Sequence, residues 1–585
     1  MSIFAELKRR NVYRVAALYV IVSWVLLQVA DVLLGMLPLP PWIGTLVFFL
    51  LALGFPVALL LAWAFELTPE GVRRESATGG EVRKTGSSFG YRDLLIGAAF
   101  VAVLAYAFYA HYRSGVDEDA AAAASGYSIV VLPLNDLTND PTEAYFVEGM
   151  HEALITEFSK IEALRVISRT SAAAYRDSAK PVPQIARELN VNAVLEGSVL
   201  RVGDTVRVSA QLIDGATDRH LWAGNYDRRM TDILALFGDI AQEIAQQVRV
   251  TVTPDEQARL VNTRSIDPQV YERYLKGRHL CDKWSPQEMS QGAGLLREVT
   301  ALDPDYAPGY AALASCLQYQ AFFDYVAPLE IRAESEAAAL QAVALDEELA
   351  DARVALSGIL WYLDLNPDAA ERELERALQL NPGSDRALLH GSWLLGETGH
   401  FDEAIPLTHK AIRLNPLATS THHALGQVYY LAREFDQSIE AYGEALELNR
   451  NDPYLHFSLA VPLHFKGEQA AAFEAARKAV ELSSGEPLYV AGLAWLSGTN
   501  GFDAEAEQLL RELEADPRAS AFHFALVHLG LGNHQQAIDL MLQAYVERSS
   551  HLVYIKEGAM FDPLRRDQRF KHLVTRIWGS APGAE

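Results

Sequence analysis

The stretch SWLLGETGHFDEAIPLTHKAIRLNP, residues 392–416, sets small side chains at Ser392, Ala404 and Ala411 and closes on a proline. The same spacing of 12 and then 7 returns 34 residues to either side and once more beyond, at Gly358, Ala370 and Ala377, at Gly426, Ser438 and Ala445, and at Ala460, Ala472 and Ala479. Small side chains at these points let two helices of a pair approach closely, and Pro382 and Pro416 stop the second helix where the chain turns over. A unit this short cannot bury its apolar side alone. Copies must stack, so this half of the chain is an all-α solenoid of helix pairs.

Weaker copies run on through Ala494 and Ala506, then Ala525, Ala537 and Ala544, and back to helices ending at Pro304 and near Glu347, which gives eight pairs over residues 268–550. Period and pattern together resemble the tetratricopeptide repeat. That resemblance implies a concave surface, lined by the first helix of each pair, that binds proteins or peptides. In this register Tyr362, Arg386, Trp393, His423, Gln427, Tyr430, Phe457 and His464 face the groove, and aromatic and Arg side chains suit interface anchors. The second pair carries about nine extra residues near AFFDYVAPL, 321–329, and insertions in solenoids map to loops on one face. Residues 551–585 read as a capping helix and tail that cover the last pair. The chain's two cysteines, Cys281 and Cys316, fall at nearly equivalent points of the first two pairs. Helix axes lie about 8–10 Å apart, whereas a bridge needs Cα atoms within about 7 Å, so two buried thiols are expected.

Upstream the periodicity changes. SIVVLPL, 128–134, is the β-branched run of a buried strand, residues 143–160 bring Phe146, Met150, Leu154, Ile155 and Phe158 round at helical spacing, and LRVIS follows as a second strand. PQIARELNV makes a short helix. NAVLEGSVLRV and TVRVSAQLID flank the turn Gly203-Asp204 as a hairpin, with Val206, Val208, Ala210 and Leu212 on its buried face. HLWAGNYDR adds a third antiparallel strand, and an amphipathic helix from Asp232 to about Val250 completes an α/β domain over residues 127–255.

The segments VLPLNDLTNDPTEAYFVEGMHEALITEFSKIEALRVISRTSAAAY, 131–175, and IARELNVNAVLEGSVLRVGDTVRVSAQLIDGATDRHLWAGNYDR, 185–228, resemble the TolB amino-terminal-like (FlgO-like) domain in order and nearly throughout. In that family the domain follows a membrane segment and precedes tetratricopeptides, with an adenylate cyclase domain or a CadC-like winged helix at the cytoplasmic end. This chain departs there. Its N-terminus holds AELKRRNVYRVAALYVIVSWVLLQVADVLL, 5–34, itself similar to the start of such proteins, so neither cyclase activity nor promoter binding is carried over.

Residues 1–115 form a membrane module, with apolar runs at 15–37, 42–65 and 94–112, each able to cross a hydrocarbon core and surrounded there by lipid. Lys8, Arg9, Arg10 and Arg14 precede the first run, and Arg73, Arg74, Arg83, Lys84 and Arg92 lie between the second and third, whereas the intervening turn has no such residue. The asymmetry places both basic segments in the cytoplasm and the C-terminal part in the periplasm of a bacterial inner membrane. Asp31 lies near the outer end of the first run, where it can reach headgroups or cap the hairpin between the first two runs. Downstream of residue 115 the chain carries 40 Lys and Arg against 68 Asp and Glu. No basic stripe for a nucleic-acid backbone is present in that part.

Motifs for catalysis are incomplete. His151-Glu152 begins a zinc-protease motif, but Ile155 stands where the second histidine belongs. GGEVRKT lacks the glycine of a phosphate loop, and adjacent His422 and His423 diverge by about 100° on a helix. The expectation is a multidomain, non-enzymatic envelope protein without cofactor or metal, which binds protein partners through the solenoid as a scaffold or assembly factor. Homo-oligomerisation is compatible with it. The alternative is a receptor that relays periplasmic binding through the membrane module to a cytoplasmic effector.

Overall fold

The computed structural model describes residues 127–138, 144–261 and 264–579, together with residues 19, 22, 23, 51, 55, 66–68 and 71–73. Two compact units result, Met1–Ala123 and Ala124–Glu585. Apart from those isolated positions, the runs at 15–37, 42–65 and 94–112, with Asp31, lie outside the described residues, among which no helix is long and apolar enough to cross a membrane. Within the first unit the Tyr19 hydroxyl donates to the Leu51 carbonyl at 2.8 Å and its ring lies 5.6 Å from that of Phe55, so the first two apolar runs touch. Strands β1, Glu66–Thr68, and β2, Gly71–Arg73, pair antiparallel in the segment between the second and third apolar runs.

The second unit opens with a mixed sheet. β3, Tyr127–Val131, pairs in parallel with both β5, Leu164–Ile167, and β6, Ala193–Val202; β6, β7, Thr205–Asp214, and β8, His220–Arg229, follow as an antiparallel meander, and the short β4, Asn135–Asp136, adds to β6. Strand alternation holds in β7, where Val206, Val208, Ala210 and Leu212 are buried. Helices α1, Ala144–Ser159, and α4, Ile233–Gln247, cover one face. The short α2, Arg169–Ala173, and α3, Val182–Glu188, cover the other through Ala172, Ile185, Ala186 and Leu189. A short helix, α5, Pro254–Leu260, opened by the capping box of Thr253 and Glu256, leads to the solenoid.

Eight antiparallel helix pairs follow: α6, Pro268–Cys281, with α7, Pro286–Leu302; α8, Ala307–Phe322, with α9, Pro328–Leu345; α10, Ala350–Tyr362, with α11, Pro367–Leu380; and α12, Asp385–Thr398, with α13, Phe401–Leu414. The remaining four are α14, Thr419–Leu431, with α15, Phe435–Leu448; α16, Pro453–Lys466, with α17, Gln469–Leu482; α18, Pro487–Thr499, with α19, Asp503–Glu514; and α20, Ala521–Gly530, with α21, His534–Val546. Side chains of Ser285, Asn366, Ser384 and Asp452 accept first-turn amides, which fixes where helices begin. Gly399 and Gly467, both at φ +89°, end α12 and α16 in the left-handed conformation that glycine adopts without steric cost.

Two expectations are corrected, and the two domains share a core. Cys281 and Cys316 form a disulfide with Cα atoms 5.7 Å apart, since Cys281 ends α6 with its sulfur over Gly292 of α7, where no side chain stands between it and α8. The α/β domain and the solenoid do not have separate cores: one apolar cluster runs from Ile129 and Val131 through Tyr271 and Leu296 to Ile359 and Leu363. The tail does more than cover the last pair. Its helix α22, Gln568–Trp578, buries Phe570, Leu573 and Ile577, and Trp578 meets Trp361 of the third pair edge to face at 5.7 Å.

A candidate protein-binding cavity

The solenoid's two edges are held by different parts of the chain. On the edge where second helices turn into first helices, two asparagines 34 residues apart bind the α/β domain. Asn381 donates to Ser159 Oγ at 2.9 Å, and Ser171 Oγ donates to Asn415 at 2.7 Å while accepting the Leu417 amide at 2.9 Å. The Ser168 amide adds a bond to the Leu414 carbonyl. On the other edge, where first helices turn into second ones, residues 548–562 form a strap. Arg548 donates to the Asp364 carbonyl at 3.0 Å, Lys556 to the Thr398 carbonyl at 2.7 Å, and Arg433 to Asp562 at 2.8 Å, so three consecutive repeats are tied at matching turns.

Between the two edges the first helices enclose a cavity of about 900 Å³, lined by α1 and α2 of the sheet domain, by α6, α8, α10, α12, α14 and α16 with the turns that lead into them, and by Tyr489 and Tyr554. Its volume is at the upper end of ligand pockets. One end is charged. Glu152 accepts from Arg278 and lies 3.7 Å from Arg169 and 3.6 Å from Arg386, while Asp282 pairs with Arg169 at 3.2 Å and Arg386 at 3.3 Å. Burial opposes ionisation of Glu152, but the guanidinium groups of Arg278, Arg386 and Arg169 prevail and hold its carboxyl at about 2. The network therefore presents fixed charges that belong to both domains.

The other end is aromatic and neutral. Glu397 accepts from the Trp361 indole at 2.6 Å and from Gln427 at 2.9 Å, yet burial pushes its pKa up to about 8, so it carries its proton at neutral pH. His423 lies 4.8 Å from the Tyr454 ring and contacts Ser458 Oγ at 3.1 Å, and burial holds it at about 4 as a neutral imidazole. The Trp393 indole N–H is buried and meets no acceptor among the described residues.

Of the eight groove residues read from the sequence, Tyr362, Arg386, Trp393, His423 and Gln427 line this cavity. The other three serve packing. The Tyr430 hydroxyl accepts the Met560 amide of the strap at 3.4 Å, Phe457 packs edge to face on Tyr489 at 5.9 Å beside Gly492, and His464 lies against Trp495 at 5.2 Å. Sequence reasoning missed Glu152, Arg169, Arg278, Asp282 and Glu397. Glu152 beside a buried His151, whose ring bonds the Val131 carbonyl at 2.8 Å, is the remnant of the failed zinc motif, and among the described residues neither belongs to a group placed to hold a metal. His422 bonds Glu444 and the Pro416 carbonyl, away from His423, as the helical geometry requires.

This architecture is a mixed α/β domain joined to a long helical array of tetratricopeptide type. The tetratricopeptide repeat family profile matches residues 420–452. A curated relative named "Putative adenylate cyclase 3" of Rhizobium meliloti is 36% identical over 187 residues, which are 32% of each chain, so the match spans about a third of that relative's length. Among solved structures, YrrB, described as a TPR protein with an unusual peptide-binding site, is 16% identical, with 33% of this chain and 95% of that one covered at a TM-score of 0.25. Pseudomonas aeruginosa pilF is 21% identical over 32% of this chain and 87% of that one, at 0.27. A human IFIT1 dimer is 17% identical over 58% and 77%, at 0.40. At such scores these likenesses carry no argument about function.

Proposed function

We propose that the chain is a non-enzymatic protein anchored in the bacterial inner membrane, whose periplasmic unit captures a segment of a partner protein in the cavity between sheet domain and solenoid. The observation that carries the reading is the cavity itself, an aromatic and Arg-lined concave space of about 900 Å³ with an unpartnered Trp393 N–H. An unmet buried donor costs about 1–3 kcal/mol, and a main-chain carbonyl of a bound segment supplies the acceptor. The Lys and Arg distribution supports the orientation, and the Cys281–Cys316 disulfide supports an oxidising compartment. The resemblance to TolB-like domains supports an envelope role as scaffold or assembly factor.

The name of the Rhizobium relative and the β1–β2 hairpin in the basic loop favour a second reading, in which capture is relayed to a cytoplasmic effector. Both readings share the cavity. With tagged full-length chain isolated from its native host, Arg386→Glu and Trp393→Leu should each lower recovery of the partner at least about tenfold, equivalent to about 1.4 kcal/mol. Leu448→Ser, on an exposed position outside the cavity, should leave recovery unchanged. Equal recovery in all three variants would refute cavity binding.

A further inference from the structure

The insertion in the second repeat places Asp324 in the turn after α8, and two buried histidines from distant elements converge on it. His551, in the strap, sets Nε2 at 2.9 Å from Asp324 Oδ2, and His523, on α20, sets Nε2 at 3.4 Å from the same oxygen without hydrogen-bond geometry or another partner. His523 is 1% exposed and His551 3%. We propose that Asp324, His523 and His551 form a three-ligand site for a divalent transition-metal ion of the zinc type.

The separations suit that ion. Zinc–nitrogen and zinc–oxygen bonds of about 2.0–2.2 Å in a tetrahedron put neighbouring ligand atoms about 3.3 Å apart, and the three atoms here all lie within 4.8 Å of one another. Among the described residues no other group of His, Cys, Asp and Glu has this arrangement. Three protein ligands leave a fourth position for water. The rings are already oriented, since Phe522 stacks on His551 at 5.3 Å and Phe322 lies 5.8 Å from it. For His523, ligation through Nε2 places the ring proton on Nδ1, where Ser520 Oγ at 3.2 Å accepts it. The cost is the bond now donated by the Ser520 amide to Nδ1 at 3.0 Å, so the ion must displace a working cap.

The site links the second repeat, the eighth repeat and the strap, so a bound ion would lock the edge of the cavity that the strap seals. The test uses full-length chain stripped with a chelator and titrated with Zn²⁺ against a chromophoric competitor. One equivalent per chain is expected, and Asp324→Asn or His551→Gln should weaken binding by more than the about tenfold to hundredfold that loss of an outer-shell partner costs. His220→Gln, at an exposed histidine of β8, serves as control and should bind normally. Should a variant fail to fold, Co²⁺ added to the unaltered chain gives an independent reading: intense visible bands of a four-coordinate site support the proposal. A weak hexa-aqua spectrum, absence of stoichiometric Zn²⁺, or binding that survives the Asp324→Asn/His551→Gln double change overturns it.

Discussion

Glu397 and Glu152 are two carboxyl groups in one cavity with opposite protonation. For Glu397 the folded pKa of about 8 lies above the unfolded one, so its contribution to stability is whole below the ordinary glutamate range and is lost as pH rises through about 8. Glu397→Gln keeps the acceptor for Trp361, with the Gln427 amide turned to present its oxygen. Thermal unfolding should show little change at slightly acid pH and a higher midpoint than the parent at about pH 9; parallel pH curves would contradict the assignment. Glu152 behaves conversely. Held at about 2, it stabilises above the ordinary range and loses that contribution as pH falls toward about 2. Glu152→Gln should cost about 2 kcal/mol near neutral pH, read from the urea midpoint, and flatten the acid limb. The sequence exposed Glu152 only as the second letter of a broken motif. Its principal partner, Arg278, lies 126 positions away, beyond the reach of any local pattern.

The repeat helices were legible because each rests on a local rule: small residues where helices cross, proline after the second helix, and a side-chain acceptor before the next. Helices α11 and α13 end at Leu380 and Leu414, two residues before Pro382 and Pro416. What lay hidden was the use of the preceding asparagines. Asn381 and Asn415 read as turn residues, yet both hold the sheet domain. The disulfide escapes the limit set by helix-axis spacing because Cys281 ends its helix and lies against Gly292. Closing a loop of 35 residues restricts the unfolded chain by about 3–4 kcal/mol in the chain-entropy picture. Cys281→Ala/Cys316→Ala should therefore lower the denaturation midpoint of the unreduced protein, and titration of the denatured parent should find no free thiol until reductant is added. Two reactive thiols in unreduced parent would contradict the bridge. In the cap, Phe570→Ala removes a fully buried ring and should cost about 3 kcal/mol in unfolding free energy, a loss absent if α22 were peripheral.

At the scale of the whole molecule, the order of α/β domain and helical array followed from a change of hydrophobic period, from two to 3.6. The closure of that array did not. The strap has no repeat, its contacts with Asp364, Thr398 and Arg433 span 184, 158 and 129 positions, and nothing in its own composition marks the turns it will meet. A groove expected to be open is thus a cavity with one edge sealed by the sheet domain and the other by the C-terminus. The central claim is that a partner segment enters this space. A photo-reactive side chain placed at Leu389, which lines the cavity, and separately at Leu448, which is exposed outside it, tests that claim in living cells. The account predicts one adduct of defined mass at position 389, abolished when Arg386→Glu is added, and none at 448. Adducts of equal yield at both positions, or an adduct at 389 that persists with Arg386→Glu, would contradict it.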